Sequence, residues 1–282
     1  MKQTVLISGI KGFLASNLAT LLKDDYVVYG IGLASEIFNS FEVFASSEIN
    51  NININPDYLV LCHAAVASGN FSPSKEELFE VNVNVTKTII EKFPKAKIIY
   101  ISTASIYDGT TNLIDEKSID NPQNDYAKSK LLAEKLILKS ENAMVFRLSS
   151  LYGIGMKENT IIPNYINQAL QNNSIEVWGT GERKQNYIFV EDACRYIKKA
   201  IEKFEALKNN VLLCVDKKEV SNLELAQIIA QNTNSNISFV NEDFSKSLHY
   251  DNSLTCKLLN WEPKSNFEAE IQNYITWKKE QF

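Results

Sequence analysis

The segment Thr4-Val5-Leu6-Ile7-Ser8-Gly9-Ile10-Lys11-Gly12-Phe13-Leu14-Ala15-Ser16-Asn17-Leu18 constrains this chain more than any other. A short apolar run enters two glycines spaced G-x-x-G and leaves into apolar positions at helical spacing, which continue to Leu22. Glycines placed between a first strand and a helix let the backbone turn tightly and approach a pyrophosphate, and the helix N-terminus favours the anion. Ala15 stands where a third glycine is expected, the smallest replacement at a point where helix meets strand. The segment reads as the opening unit of a dinucleotide site, with Gly9, Lys11, Gly12, Phe13 and Leu14 against the ligand. A plain tight turn is the competing reading, and the strand before and amphipathic helix after it count against that.

The next 130 residues repeat this alternation. Tyr26 to Ile31, Tyr58 to Cys62, Lys97 to Ser102 and Ala143 to Leu148 read as strands, and Leu78 to Phe93 and Tyr126 to Leu138 as helices. Alternating strands and helices predict parallel βαβ units. Continuous apolar runs such as Leu59-Val60-Leu61 fit a sheet covered on both faces. Beyond about Leu151 the pattern loosens: Pro163 to Gln171 reads as a helix, Ile175 to Trp178 as a strand, Asp192 to Phe204 as a helix and Val211 to Val215 as a strand. The expected fold class is α/β: a Rossmann-type doubly wound parallel sheet with a smaller mixed α/β substrate lobe on the C-terminal side. Residues 1–150, with a return segment over about 186–216, form the expected dinucleotide-binding domain, and 151–185 with 217–282 the substrate-binding lobe. With 282 residues, 45% of them hydrophobic, the chain can bury such a core.

Composition removes several classes of function. The net charge is -5 with no long run of either sign, so the clustered basic face of a nucleic-acid binder is absent. No apolar run is long enough to span a bilayer and no cleavable signal precedes Thr4, so a cytoplasmic location is expected. Cys62, Cys194, Cys214 and Cys256 form no close pair and read as reduced thiols. His63 and His249 are the only histidines and have no carboxylate or cysteine cluster at ligand spacing, so no metal site is expected. Cys62 beside His63 reads as a packing pair rather than a thiolate–imidazolium nucleophile.

Catalytic candidates come from Tyr126-Ala127-Lys128-Ser129-Lys130, where a tyrosine and a lysine four apart share a helix face. A phenol with a pKa of about 10 is a poor base at neutral pH, and lowering it by roughly 3 units takes about 4 kcal/mol of differential interaction. A nearby ammonium can contribute that in a dry site. The spacing alone decides nothing, because among 12 tyrosines and 29 basic residues it occurs twice, also at Tyr274/Lys278. The surroundings separate the two. Tyr126 follows a buried strand ending Ile101-Ser102-Thr103, whose Thr103 hydroxyl can share the same substrate oxygen, whereas Tyr274 has no such strand before it and reads as packing.

With these residues together, the chain resembles the extended short-chain dehydrogenase/reductases, the NAD-dependent epimerase/dehydratase family that modifies nucleotide sugars. Thr103 lies four before Tyr107, as the strand-end hydroxyl of the family precedes its "VYG" tyrosine. Cys62-His63-Ala64-Ala65 resembles the alanine pair after the fourth strand, and Asn82 the asparagine of the next helix. Arg147 to Gly153 resembles "R-x-x-N-x-Y-G", Ile188 to Asp192 the "V-x-D" junction, and Asp251 with Leu259-Asn260-Trp261-Glu262-Pro263 the "D…LGWxP" tail. The resemblance implies Tyr126 as general acid/base, Lys130 as its electrostatic partner and Thr103 as the orienting hydroxyl. It further implies Gly32, Leu33, Ala64 and Asn82 beside the cofactor, together with Tyr126 and Lys130. Thr103, Ala104, Ser150, Arg183 and Gln185 fall beside the substrate. A homodimer through the helices over 78–93 and 126–138 is also implied.

The second strand ends Tyr29-Gly30-Ile31-Gly32-Leu33, with Gly32 where an acid would hold the ribose of NAD, while Lys11 could pair with a 2′-phosphate. Both features favour NADP(H), with NAD(H) the alternative; Lys11 as a plain loop lysine is the competing reading. Other departures touch the substrate. Ser150 replaces the family asparagine, and Gln185 stands where a diphosphate-clamping arginine is common, with Arg183 two residues away. Lys246 and His249 are the only cationic candidates near the second clamp, and a lysine is not a bidentate equivalent. Dehydratases of the family carry an Asp-Glu pair after the threonine; here Ala104 and Ser105 occupy those positions. The favoured reading is a reductase of a 4-keto-6-deoxy nucleotide sugar. The alternatives are a 4-epimerase with tightly held NAD and, from another class, a non-catalytic dinucleotide-sensing module, against which the intact Thr103, Tyr126 and Lys130 argue.

Overall fold

A computed structural model describes residues 2–67, 72–110 and 113–281. In chain order the strands are β1 (Thr4–Ser8), β2 (Val27–Gly32), β3 (Glu36–Phe38), β4 (Phe41–Ala45), β5 (Tyr58–Leu61), β6 (Lys97–Thr103), β7 (Ala143–Leu148), β8 (Ser150–Tyr152), β9 (Ser174–Trp178), β10 (Lys184–Phe189), β11 (Val211–Cys214), β12 (Glu219–Ser221) and β13 (Asn236–Val240). The helices are α1 (Phe13–Leu22), α2 (Lys75–Phe79), α3 (Thr86–Lys92), α4 (Asp125–Ile137), α5 (Ile161–Asn172), α6 (Val190–Glu202), α7 (Phe204–Leu207), α8 (Asn222–Thr233), α9 (Ser253–Leu259) and α10 (Phe267–Lys279).

The large sheet runs β11-β7-β6-β5-β1-β2-β4-β3. Its pairs are parallel except β3–β4, which is antiparallel. After β1 the chain builds outward through β2 and β4, then returns to the other side of β1 with β5, so the order reverses between β1 and β5. That reversal opens a crevice at the carboxyl ends of these two strands. The sheet is Rossmann-type and doubly wound, as the alternation predicts.

Two cores cover its faces, and the period-2 alternation of a strand feeds both. Val5 and Ile7 of β1 join Leu14, Leu18 and Leu22 of α1 and Ile197 of α6, while Leu6 joins Ile89 of α3 and Ala133 and Ile137 of α4. Leu6 and Ile7 are both 0% exposed, and each such side chain contributes about 1.5–3 kcal/mol. A third core packs α5, α8 and α10 around Val177 and Tyr187. Small sheets β12-β10-β8 and β13-β9 belong to this side of the molecule. Within 186–216, β10 pairs in the three-stranded sheet, whereas α6 and β11 return to the large one.

The helix expected over Leu78 to Phe93 differs in detail. It starts earlier, at α2, where Ser74 and Glu77 form a reciprocal capping box. It then widens into a π-helical stretch over Glu80–Val85 before α3. Asn82 lies in that stretch.

Among the described residues no helix is long and apolar enough to cross a membrane.

Candidate active site

A cleft of about 600 Å³ lies at the carboxyl ends of the strands flanking the reversal point. The turn after β1 contributes Gly12, Phe13 and Leu14, and the segment after β5 contributes Cys62, Ala64 and Val66. Thr103 ends β6 and Ala104, Ser105 and Asp108 follow it, Tyr126 projects from α4, and Ser149 and Ser150 follow β7. The far wall is Arg183, Gln185, Lys246 and Tyr250. Ten sequence-predicted residues thus meet in one cavity: Gly12, Phe13, Leu14, Ala64, Thr103, Ala104, Tyr126, Ser150, Arg183 and Gln185.

The glycine turn is built as its sequence requires. Gly9 is left-handed (φ 67°), and a Cβ there would lie 2.9 Å from the His63 Cα, so β1 and the segment after β5 approach too closely for a side chain. A Cβ at Gly12 would fill the concavity 3.1 Å from the Gly9 carbonyl oxygen. Gly12 offers α1 no side-chain cap, and the first turn of α1 carries no acid. Its amides are left for an anion, in the form a dinucleotide pyrophosphate needs. The residues present therefore fit a nicotinamide dinucleotide.

Electrostatics at the tyrosine depart from the sequence expectation. Burial pushes the Tyr126 phenol up to about 12, and the Thr103 hydroxyl acts in the opposite direction. Lys130 does not lower it in this state: its ammonium lies 4.1 Å from the centroid of the Tyr100 ring on β6. Burial pushes Lys130 down to about 7, with Glu134 and Cys62 opposing. A cation stabilised by a ring face and a carboxylate one turn away is held behind the cleft rather than in its wall. Thr103 is oriented by accepting the Ser105 amide at 3.1 Å.

Five further expectations, Gly9, Lys11, Gly32, Leu33 and Asn82, fall outside the cavity wall. Asn82 is buried and its carboxamide is spent on the protein: Oδ1 accepts the Ala65 amide at 2.8 Å, and Nδ2 donates to the Ala65 carbonyl and to Ser129 Oγ at 2.9 Å. Asn82 thereby braces the segment after β5 against the helix bearing Tyr126. Lys11 is held by Glu36, its Nζ lying 3.0 and 3.3 Å from the two carboxylate oxygens. Gly32 closes β2, where a Cβ would stand 3.0 Å from Val43 Cγ1, and Leu33 is 96% exposed. Gly9 sits beneath the turn.

His63 is bound on both ring nitrogens, Nδ1 to Ser8 Oγ at 2.6 Å and Nε2 to Thr86 Oγ1 at 3.0 Å, and burial pushes its pKa down to about 3. Burial pushes the Cys62 thiol up to about 12. A neutral imidazole beside a neutral thiol is the packing pair expected. Tyr274 is 1% exposed and its hydroxyl meets Glu158, away from the cleft.

Asp108, Ser149 and Tyr250 line the cavity without having been singled out from the sequence. Asp108 lies one residue beyond Tyr107, in a segment that served only to place Thr103. Burial raises its carboxyl while Arg183 opposes this. Arg183 Nε is buried with no hydrogen-bond partner, and Lys157, Lys184 and Lys246 share its cavity. Among the described lining residues Asp108 is the only carboxylate, so the far wall is cationic overall.

The model of the NAD dependent epimerase/dehydratase family matches residues 5–214. Over 268 residues the chain is 27% identical to a dTDP-D-glucose 4,6-dehydratase of Dictyostelium discoideum, covering 80% of this chain and 61% of that protein's length. A dTDP-D-glucose 4,6-dehydratase of Mus musculus is 25% identical over 99% of this chain and 89% of its own length. The structure of a UDP-glucuronic acid 4-epimerase from Bacillus cereus in complex with NAD superposes with a TM-score of 0.85 at 20% identity, covering 98% of this chain and 99% of that one. The match across both the glycine turn and the Tyr126 helix means that this chain belongs to the NAD dependent epimerase/dehydratase family and is an enzyme of the extended short-chain dehydrogenase/reductase type.

Proposed function

We propose that this enzyme carries out oxidation–reduction at one carbon of a nucleotide-linked sugar, as a reductase of a 4-keto-6-deoxy sugar nucleotide. The observation that carries this reading is the convergence of Tyr126 and Thr103 on a cavity whose only described carboxylate is Asp108 and whose far wall is cationic. Tyr126, neutral in its resting state, is set to donate its proton to the C4 oxygen. Thr103 donates a hydrogen bond to that same oxygen, and Lys130 stabilises the phenolate left behind. A nicotinamide, held by Gly9, Gly12, Phe13 and Leu14 and flanked by Ala64, supplies the hydride to C4 when bound. The unpartnered Arg183 Nε, with Lys246 and Gln185, is assigned to the diphosphate. Ser150 and Ala104 border the sugar. Residues 1–150 with the returning α6 and β11 are assigned to the cofactor, and the lobe of 151–185 and 217–282 to the substrate.

Several relatives are named as dehydratases. Elimination across C5 and C6 needs an acid and a base there, and Ala104 and Ser105 supply neither. Reduction needs only one proton, delivered at one oxygen. Gly32 supports a cofactor that leaves after each turnover, since no carboxylate anchors the ribose from the end of β2. The sequence preference for NADP(H) rests on Gly32 and Lys11 together, and only Lys11 offers a charge to a 2′-phosphate. Its pairing with Glu36 favours the second reading, a 4-epimerase that keeps NAD(H) and returns the hydride to the other face. Two copies are proposed to pair through the helices over 78–93 and 126–138, where Leu132 of α4 is 44% exposed.

Reduced dinucleotide is incubated with a 4-keto-6-deoxy sugar nucleotide and the 340 nm absorbance followed. Stoichiometric loss that disappears in Tyr126→Phe is the expected result. With a 4-hydroxy sugar nucleotide and the oxidised dinucleotide in place of these, interconversion of C4 epimers without net change at 340 nm selects the epimerase, and full turnover by Tyr126→Phe refutes the assignment of the proton donor.

A further inference from the structure

The ion pair on the glycine turn points beyond cofactor binding to cofactor choice. Gly32 cannot be replaced by an acid without moving Val43, because a Cβ there already stands 3.0 Å from Val43 Cγ1. The chain supplies a carboxylate from elsewhere. Four residues on, β3 folds back antiparallel on β4 with Glu36 opposite Val43. This returns the Glu36 carboxylate to the turn, where both of its oxygens lie within 3.3 Å of Lys11 Nζ. Lys11 in turn sits between the two glycines and over the Phe38 ring at 5.8 Å.

We propose that Glu36 sets the preference of this enzyme between the two nicotinamide dinucleotides, by holding Lys11 in an ion pair that accepts an unphosphorylated ribose and disfavours a 2′-phosphate. The inference rests on the dinucleotide reading above, in either its reductase or its epimerase form. The adenosine ribose of a dinucleotide lies at the end of the second strand of such a sheet, beside the glycine turn. A 2′-hydroxyl can donate to the Glu36 carboxylate while accepting from Lys11. A 2′-phosphate dianion meets the same carboxylate as a like charge, and the attraction of Lys11 is offset at its source. The side chains of Lys11 and Glu36 are 53% and 35% exposed, so the pair is held in place by proximity rather than by burial, and either member can be changed without opening the core.

The test is titration of the purified full chain with NADH and NADPH, read by nicotinamide fluorescence, for wild type, Glu36→Gln and Lys11→Met. Wild type should bind NADH at least as tightly as NADPH. Glu36→Gln, which frees the ammonium, should shift the ratio of dissociation constants toward NADPH by about tenfold, and Lys11→Met should shift it the other way. A wild type that favours NADPH by about tenfold, or a Glu36→Gln ratio within about twofold of wild type, overturns the proposal. Failure of wild type to bind either dinucleotide overturns it together with the cofactor reading beneath it.

Discussion

Replacing Arg147 by methionine should cost this protein more stability than any change in the cleft itself. Arg147 lies on β7 with its side chain 5% exposed, and Glu134 on α4 with its side chain 2% exposed. The guanidinium and carboxylate meet fork to fork, Nε to Oε1 at 3.1 Å and Nη2 to Oε2 at 2.6 Å. Arg147 Nη1 also reaches Asp120 at 2.7 Å, and the guanidinium lies 4.8 Å from the Tyr107 ring centroid. Methionine fills much of the volume but leaves the Glu134 carboxylate buried without its guanidinium hydrogen bonds, with only the Lys130 amine one turn away. Breaking a buried pair on one side costs about 3–5 kcal/mol, whereas replacing both partners by apolar groups is often neutral. Asp120 is 33% exposed and can be hydrated, so its loss adds little. In a chain of this size each kcal/mol lowers the melting temperature by roughly 2–4 °C, so a fall of about 6–20 °C is expected. Urea and thermal unfolding of Arg147→Met, Glu134→Leu and the double variant measure it. The double variant should recover most of the loss. A single variant within about 1 kcal/mol of wild type, or a double variant as damaged as the single, would refute the argument that the isolated buried carboxylate is what costs stability.

The remaining predictions concern the residues around the cleft. Lys130 titrates at about 7 in the fold against the ordinary 10.5. The unfolded chain therefore binds the extra proton between those values, and the stability of the ligand-free protein should rise with pH from about 7. Cys62, raised from 9.0 to about 12, contributes the opposite trend above pH 9, so pH 7 to 9 is the window to compare with Lys130→Met, in which the rise should flatten. Gly9→Ala places a Cβ 2.9 Å from the His63 Cα in a left-handed backbone; about 1–2 kcal/mol is expected from the backbone alone, with a weaker dinucleotide affinity by fluorescence titration. Asn82→Ala strands the Ala65 amide, which should cost about 1–3 kcal/mol in urea unfolding and lower turnover more than it raises KM, because Tyr126 sits on the helix that Asn82 braces through Ser129.

Much of the architecture was legible in the chain itself because it follows from short-range periodicity. Apolar runs such as Leu59-Val60-Leu61 fit strands buried on two faces, and α1 begins at Phe13 because Gly12 ends the turn before it. Tyr126 and Lys130 share a side of α4 by helical spacing alone. Contacts between distant segments were not legible. The pairing of Lys11 with Glu36 depends on β3 folding back against β4, a three-residue strand with no pattern to announce it. The commitment of Asn82 to Ala65 and Ser129 depends on a π-helical stretch that sequence periodicity reads as ordinary helix. The placement of Lys130 over Tyr100, and the opposite displacements of the Lys130 and Tyr126 pKa values, depend on burial. Spacing determines which side chains share a face. Which charge is neutralised, which amide is spent and which phenol stays protonated are set by desolvation and distance across the fold, and those exist only once the tertiary structure has formed.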